Sequence, residues 1–397
     1  MALAGPFLSG ALPLVWWDGH NIHFPLLKYR FFQWGVGSPF PLQEFQQEFP
    51  SPDSWAIWPP NRFEPLQPDF LHILRPPLTP SDHGRMHLLG TDALGRDVLA
   101  QLLHGAFVSL SIAFSAMLLS LLVGTLLGGM AGFFGDHGFR MRLFTALLLP
   151  FLGVLLWFVI VDANELLFYS DVSGIQHPFF LKLGAWSVGL VLICLFGYSL
   201  QSVGRWVPWL RRQISVPLDT LVVKLMEGLT AFPRLLLIVA LMSGIEPGWT
   251  SVVVLLGLLS WPPLARLWRA GLLQAKTSDY AMAARALGFH ETRVIGRHLL
   301  PNVSGPLAVA VANGLASLIM AEAGLSFLGL GLPMDIMSWG RMLMSARQAL
   351  EAWWLIVFPA GMIWAFVALC HATARRIEDA YLKESAPTEF NKNSGRS

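Results

Sequence analysis

Charge is what this chain has least of. Only 13% of its 397 residues are Asp, Glu, Lys or Arg, and 54% are hydrophobic. A soluble globular chain carries about 25% charged residues. That shortfall excludes a disordered chain, a coiled coil and an ordinary cytosolic enzyme. A net charge of +2 is too small to argue for nucleic acid as a partner. Tyrosine is sparse, at 5, beside 16 Trp and 27 Phe. Cysteine is sparser still. Cys194 and Cys370 both lie inside apolar runs, so no disulfide framework is read. Chemical motifs are missing as well. No Gly-Lys pair occurs, so there is no Walker A phosphate loop, and neither His-Glu-x-x-His nor Cys-x-x-Cys is present. The 11 His are scattered. The sequence therefore offers no catalytic set, no metal site and no cofactor site. Any work this chain does draws its energy from a partner.

What remains is a polytopic membrane protein. A spanning helix needs about 20 mostly apolar residues. Runs 106–135, 143–161, 183–203, 249–265, 303–321 and 352–370 are each long enough. A seventh stretch, 218–245, is interrupted by Asp219, Lys224, Glu227 and Arg234, and Pro233 marks a kink in it. Its first ten residues read equally as an amphipathic helix on the membrane surface. On one helical wheel Lys224, Glu227 and Arg234 share a side. They could then face the bundle interior or an aqueous path, since a charge at membrane depth costs about 2.5–3.5 kcal/mol. Glu322 ends an apolar run and is a further candidate for such a path, or else snorkels to water. An eighth run, 1–17, is uncharged but short. It lacks the basic flank of a signal peptide and is read as a partial first transmembrane helix whose beginning lies outside this sequence.

Basic residues orient the bundle, because short Lys- and Arg-rich loops stay in the cytoplasm. Loops 136–142, 204–217 and 266–302 carry eleven Lys and Arg; the short loops on the other side carry three, Lys182, Arg341 and Arg347. The expectation is eight spans with both termini cytoplasmic. Residues 18–104 then form an extracytoplasmic lobe. That lobe holds 12 of the 27 prolines and reads as having little regular structure. The chain divides accordingly into a partial span 1–17, the lobe 18–104, a span 105–135, an inserted transmembrane hairpin 136–217, a core 218–382 and a cytoplasmic tail 383–397.

Loop 266–302 is the most informative of the cytoplasmic segments. Ser278 or Asp279 can cap a helix, and Ala281, Ala283, Ala284 and Ala286 favour one. Gly288 is placed to end it. A second short helix fits up to Leu300, before Pro301 opens the next span. Small side chains on such a helix let another protein approach closely. A surface helix with no partner fits the same residues.

These residues carry a resemblance. Ala283-Ala284-Arg285, Gly288, Leu300 and Pro301 resemble the coupling motif of ABC importer permeases. Gly90-Thr91-Asp92 and Gly95-Arg96-Asp97, followed by Gly105 and Ser109, are similar to the stretch before the second helix in the dipeptide/oligopeptide permease family. Segments 322–331 and 338–343 resemble its fifth helix and the following loop. With four motifs in family order, the chain resembles the C-type subunit of that family, and its lobe is similar to that of the microcin C/peptide permease branch.

The resemblance implies an all-α polytopic membrane protein with a type I-like ABC importer transmembrane domain. Its eight spans would be the six-helix family core plus a two-helix insertion. It implies a permease subunit in the bacterial inner membrane that translocates peptides or similar small solutes by ATP-driven alternating access. It implies no enzymatic activity and no cofactor in this chain, with ATP bound and hydrolysed by partner subunits. The implied partners are a homologous B-type permease subunit, two ATP-binding subunits, an extracytoplasmic solute-binding protein and membrane lipid. Coupling would fall to Ala283, Ala284, Arg285, Gly288, Leu300 and Pro301, and the translocation path to Arg234, Glu227 and Glu322. Two departures stand out. The Glu that opens the family's coupling motif is Met282 here, and 136–217 have no counterpart in the six-helix subunit. The rivals are a secondary transporter and a membrane scaffold without an ATPase partner. The first would want internal repeats and midplane carboxylates, and no repeat is visible. The second does not explain the coupling-type loop.

Overall fold

The computed structural model describes residues 9–10, 12–17, 22–25, 55–80, 86–136, 140–142, 213–278, 300–334 and 336–385. They fall into two units. The larger contains the described residues up to 133 and from 222 onward; the smaller contains those of 134–221.

In the larger unit the apolar runs form helices. They are α1 (Val98–Phe134), α2 (Leu218–Ala231, whose first turn belongs to the smaller unit), α3 (Arg234–Met242), α4 (Trp249–Ser260), α5 (Pro262–Lys276), α6 (Leu300–Phe327), α7 (Trp339–Ala346) and α8 (Trp354–Ser385). Four stretches are long and apolar enough to cross a membrane: Val98–Phe134, Trp249–Gln274, Val303–Phe327 and Trp354–Tyr381. Helices α2 and α3 make a fifth if they are one broken span. The expected count of eight therefore exceeds what the described residues hold, and runs 143–161 and 183–203 lie outside them.

Large side chains from α1, α4, α6, α7 and α8 meet in one core, with Ile112, Leu256, Leu318, Ile319, Leu325, Trp339 and Leu355 all buried. Helix α1 is apolar on every side but not uniform. Phe114, Leu118, Leu122 and Leu126, four residues apart, are exposed. Gly124, Gly128 and Gly132 are buried on another face. A Cβ at Gly128 would stand 2.3 Å from the carbonyl oxygen of Ala265, and one at Gly124 or Gly132 would stand 2.8 Å from the Cβ of Leu264 or Leu272. Lipid offers no hydrophobic drive for helices to pair, so small residues that admit close backbone contact decide which faces meet. That is how α1 closes on α5.

Three expectations change. First, the described part of 1–17 is not helical. Val15–Trp17 is strand β1, flanked by β2 (Ile22–His23) and β3 (Trp55–Ile57) in an antiparallel sheet of order β2-β1-β3. Trp16 pairs with His23 on one side and with Ala56 on the other. A Val-Trp-Trp sequence suits a pleated, half-buried strand, and its partners 55–57 are too distant in sequence to be foreseen. Strands β4 (Thr79–Pro80) and β5 (Met86–His87) add a short hairpin, so the lobe has more regular structure than its prolines suggest. Second, the span expected at 105–135 begins seven residues earlier, because the Asp97 carboxylate accepts the Ala100 N–H at 2.8 Å and caps α1 at Val98. Third, α2 and α3 are bent by 86° at Phe232-Pro233. Proline lacks the N–H and crowds the preceding turn. No single wheel therefore carries Lys224, Glu227 and Arg234 on one face.

In the smaller unit, β6 (Arg140–Arg142) pairs antiparallel with β7 (Gln213–Ser215), Arg140 opposite Ser215. Thr220 donates its N–H and its hydroxyl to Asp136, both at 2.9 Å.

Candidate functional site

The motif 90–97 folds as a tight turn whose glycines are required by geometry. Gly90 and Gly95 have φ of +83° and +77°, a left-handed conformation that L side chains rarely adopt. Space forbids a side chain too. A Cβ at Gly95 would lie 1.7 Å from the Asp69 carbonyl oxygen, and one at Gly90 2.6 Å from that of Arg75. Segment 69–75 lies along the turn for this reason. Asp69 N–H donates to the Leu94 carbonyl, Leu74 N–H to that of Asp92, and Thr91 N–H to that of Arg75. The Thr91 hydroxyl accepts from Arg75 N–H at 2.8 Å and donates to the His72 carbonyl.

The two aspartates are fully engaged. Asp92 Oδ1 accepts the N–H groups of Leu94 (2.9 Å) and Arg96 (2.8 Å); its Oδ2 accepts from Arg96 Nε and Gln101 Nε2, each at 2.9 Å. Asp97 is the cap of α1, and it also receives Asn61 Nδ2 and His87 Nδ1 at 2.9 Å. A buried carboxylate is tolerated only when it is hydrogen-bonded or paired to this extent. Asp92 and Asp97 are 1% and 2% exposed. These residues build a rigid corner, with no unengaged carboxylate for proton transfer.

The corner is also where the distant motifs meet. Trp354 Nε1, at the start of α8, donates to the Thr91 carbonyl at 3.0 Å. Trp339 at the start of α7 donates its Nε1 to the Leu102 carbonyl (3.1 Å) and its N–H to the Ser109 hydroxyl (3.2 Å). Gly105 leaves room for it, since a Cβ there would stand 3.1 Å from the Trp339 ring. Ser338 Oγ caps α7 by accepting from Arg341 N–H. Glu322 is fully buried on α6, where its Oε1 accepts from Ser326 at 2.8 Å and the hydroxyls of Ser109 and Ser338 face it. It does not snorkel to water.

The other charged candidates are more open. Lys224 and Glu227 pair at 2.9 Å with side chains 72% and 57% exposed. Arg234 Nη2 donates to Ser260 at 2.6 Å. Among the coupling candidates, Ala283, Ala284, Arg285 and Gly288 lie outside the described residues. Leu300 and Pro301 occupy the first turn of α6, where a proline costs no intrahelical hydrogen bond.

One grouping has no signature in the sequence. Asp69, His72 and His87 each offer a ligand atom, and these atoms all lie within 4.8 Å of one another. His72 Nδ1 is 2.9 Å from Asp69 Oδ2. Burial raises the pKa of Asp69, but the hydrogen bonds from His72 and Leu71 N–H and the charges of His72 and His87 outweigh it. The carboxyl is held below its ordinary value. No spacing rule joins residues 69, 72 and 87. The turn at 90–97 assembles them.

Comparison with known proteins places this architecture. Residues 116–382 match the family model described as the binding-protein-dependent transport system inner membrane component. The chain is 37% identical over 173 residues to a putative peptide transport system permease protein of Brucella suis, covering 43% of this chain and 57% of that relative. It therefore spans little more than half the length of that relative. It is 29% identical over 313 residues to a di/tripeptide transport system permease protein of Pseudomonas aeruginosa, covering 79% of this chain and 76% of the relative. An oligopeptide transport system permease protein of Bacillus subtilis is 25% identical over 311 residues, 78% of this chain and 74% of its own.

Proposed function

The chain belongs to the family of binding-protein-dependent transport system inner membrane components, and we propose that it is the C-type permease subunit of an ABC importer for peptides or similar small solutes. The observation that carries this reading is the extent of the family match. It runs through 116–382 and so includes the loop 266–302, where Ala283, Ala284, Arg285 and Gly288 stand in the coupling pattern. The peptide class is supported by relatives named as peptide permeases, one of them aligned over 79% of this chain.

On this reading the chain forms half of a translocation pathway, and a homologous B-type permease forms the other half. Two ATP-binding subunits dock on the cytoplasmic loops. A solute-binding protein delivers its cargo from outside. The small residues Ala283, Ala284 and Gly288 seat against an ATP-binding subunit, whose motion then reaches the bundle. The lobe corner at 90–97, tied to α1 and α8, keeps the extracytoplasmic ends of these two helices together during alternating access. Runs 143–161 and 183–203, which lie outside the described residues, are proposed as two further spans, and the membrane as the bacterial inner membrane. Arg234, Glu227 and Glu322 are the candidates for the path.

Affinity purification of the tagged chain, expressed with the other subunits of its system, tests the proposal. The expected result is co-purification of two ATP-binding subunits and one B-type permease, with ATPase activity stimulated by loaded solute-binding protein. A chain that purifies without an ATPase, and whose uptake follows a proton gradient instead, contradicts it.

A further inference from the structure

We infer that the lobe contains a divalent-cation site of zinc-type chemistry, built from Asp69, His72 and His87. Two imidazoles and a carboxylate are the donors that borderline cations such as zinc accept, typically with water completing a tetrahedral shell.

His87 carries the strongest evidence. Its side chain is 1% exposed, and its Nε2 is buried with no hydrogen-bond partner. An orphaned buried nitrogen is costly unless something occupies it. Its other nitrogen, Nδ1, is 2.9 Å from Asp97 Oδ2. With the carboxylate accepting, Nδ1 carries a proton, and a neutral ring presents its lone pair at Nε2. A histidine oriented by a carboxylate behind it is the recurrent arrangement of metal-bound imidazole. Phe63 stacks on the ring at 4.3 Å and fixes its plane.

His72 and Asp69 complete the set. The two histidine rings are 5.9 Å apart between centroids. The ligand atoms lie within 4.8 Å of one another, whereas zinc at 2.0–2.1 Å holds its ligands about 3.4 Å apart. The gap closes by small side-chain rotations, and Asp69, with a side chain 37% exposed, is the ligand freest to move. The same exposure gives the ion its way in and leaves room for water. The backbone that carries Asp69 and His72 is already pinned against Gly95 and Thr91, so an ion would find most of the site formed. Once bound, it would tie segment 69–72 to strand β5 beneath the cap of α1.

The test uses the full chain purified in detergent, stripped of metal and then titrated with Zn²⁺ or Co²⁺ alone. The expected result is uptake of about one ion per chain with a tetrahedral Co²⁺ absorption spectrum, and a rise in the thermal midpoint with Zn²⁺. Asp69→Asn, at the exposed side of the site, and His72→Gln should each weaken binding by about tenfold or more. His87→Gln should abolish it. His371→Gln, which alters an exposed histidine bonded to Asn313, should change nothing. If His87→Gln fails to fold, Asp69→Asn and His72→Gln still decide. Folded wild-type chain that takes up no ion, or binds it equally in Asp69→Asn and His72→Gln, overturns the inference. Neither readout depends on transport, so either result leaves the permease reading to its own test.

Discussion

The indole of Trp354 donates its Nε1 hydrogen to the carbonyl oxygen of Thr91 at 3.0 Å, joining residues 263 apart in sequence. Through that bond the first residue of the last long helix is fixed to the turn that opens the first. Both groups are buried, and the geometry leaves no slack. A Cβ at the neighbouring Gly90 would stand 3.0 Å from the same indole nitrogen. Trp354→Phe removes the donor together with the pyrrole part of the indole. It should lower stability by at least about 0.5–1.5 kcal/mol, whereas Trp354→Ala should lower it by about 3–5 kcal/mol. Thermal unfolding of the purified chain measures both. Equal effects would mean that the contact is packing alone.

The glycine face of α1 makes a paired prediction. At Gly128 an added methyl would meet Ala265 backbone at 2.3 Å, while at the adjacent Gly129 nothing lies within 4 Å. Gly128→Ala should therefore push α1 from α5 and cost about 1–3 kcal/mol. Gly129→Ala should be neutral, or stabilising by about 0.5–1 kcal/mol through helix propensity. Thermal midpoints in the same detergent separate the two.

Asp97 serves three donors, from Ala100, Asn61 and His87. Asp97→Ala removes a helix cap and strands two buried polar side chains, a loss of at least about 2 kcal/mol. Hydrogen exchange should locate it, with protection falling at the first turn of α1 and across 86–97. Protection unchanged there would contradict the capping role.

The four candidate spans among the described residues were legible in the sequence because membrane helices obey a length and apolarity rule that is local. Pro233 marked the break before α3 for the same reason. The corner at 90–97 was legible only as a pattern of residue types. What each residue does there depends on partners that no local rule supplies. Asp97 is met by Asn61 and His87, 36 and 10 residues away, and Thr91 by Trp354. The strand at Val15–Trp17 was missed on similar grounds. An uncharged run with two tryptophans fits a membrane helix as well as a strand until its pairing with Trp55–Ile57 is known. The trio Asp69, His72 and His87 was invisible because it is assembled by a turn in which none of the three takes part.

The expected orientation rests on eleven basic residues in 136–142, 204–217 and 266–302, of which Arg266 and Arg269 fall on α5 inside the candidate span Trp249–Gln274. With Cys194 and Cys370 replaced by serine, a single cysteine at Thr277 should resist an impermeant thiol reagent in intact cells. It should react once the membrane is opened. Labelling from outside would reverse the orientation.

If this chain is an ATP-driven permease subunit, the segment 266–302 must transmit ATP hydrolysis to the bundle. Ala and Gly at 283, 284 and 288 permit close approach of a partner, and a large side chain there would separate the surfaces at about 1–3 kcal/mol. In a reconstituted complex, uptake and ATPase activity should be measured together for Gly288→Val, Ala284→Trp and Met282→Ala. The first two should abolish uptake while the chain still inserts in the membrane. Met282→Ala should stay near wild type, because the charge the family carries at that position is already missing here. Wild-type uptake and wild-type coupling in both Gly288→Val and Ala284→Trp would contradict the assignment of this chain as an ATP-driven permease subunit.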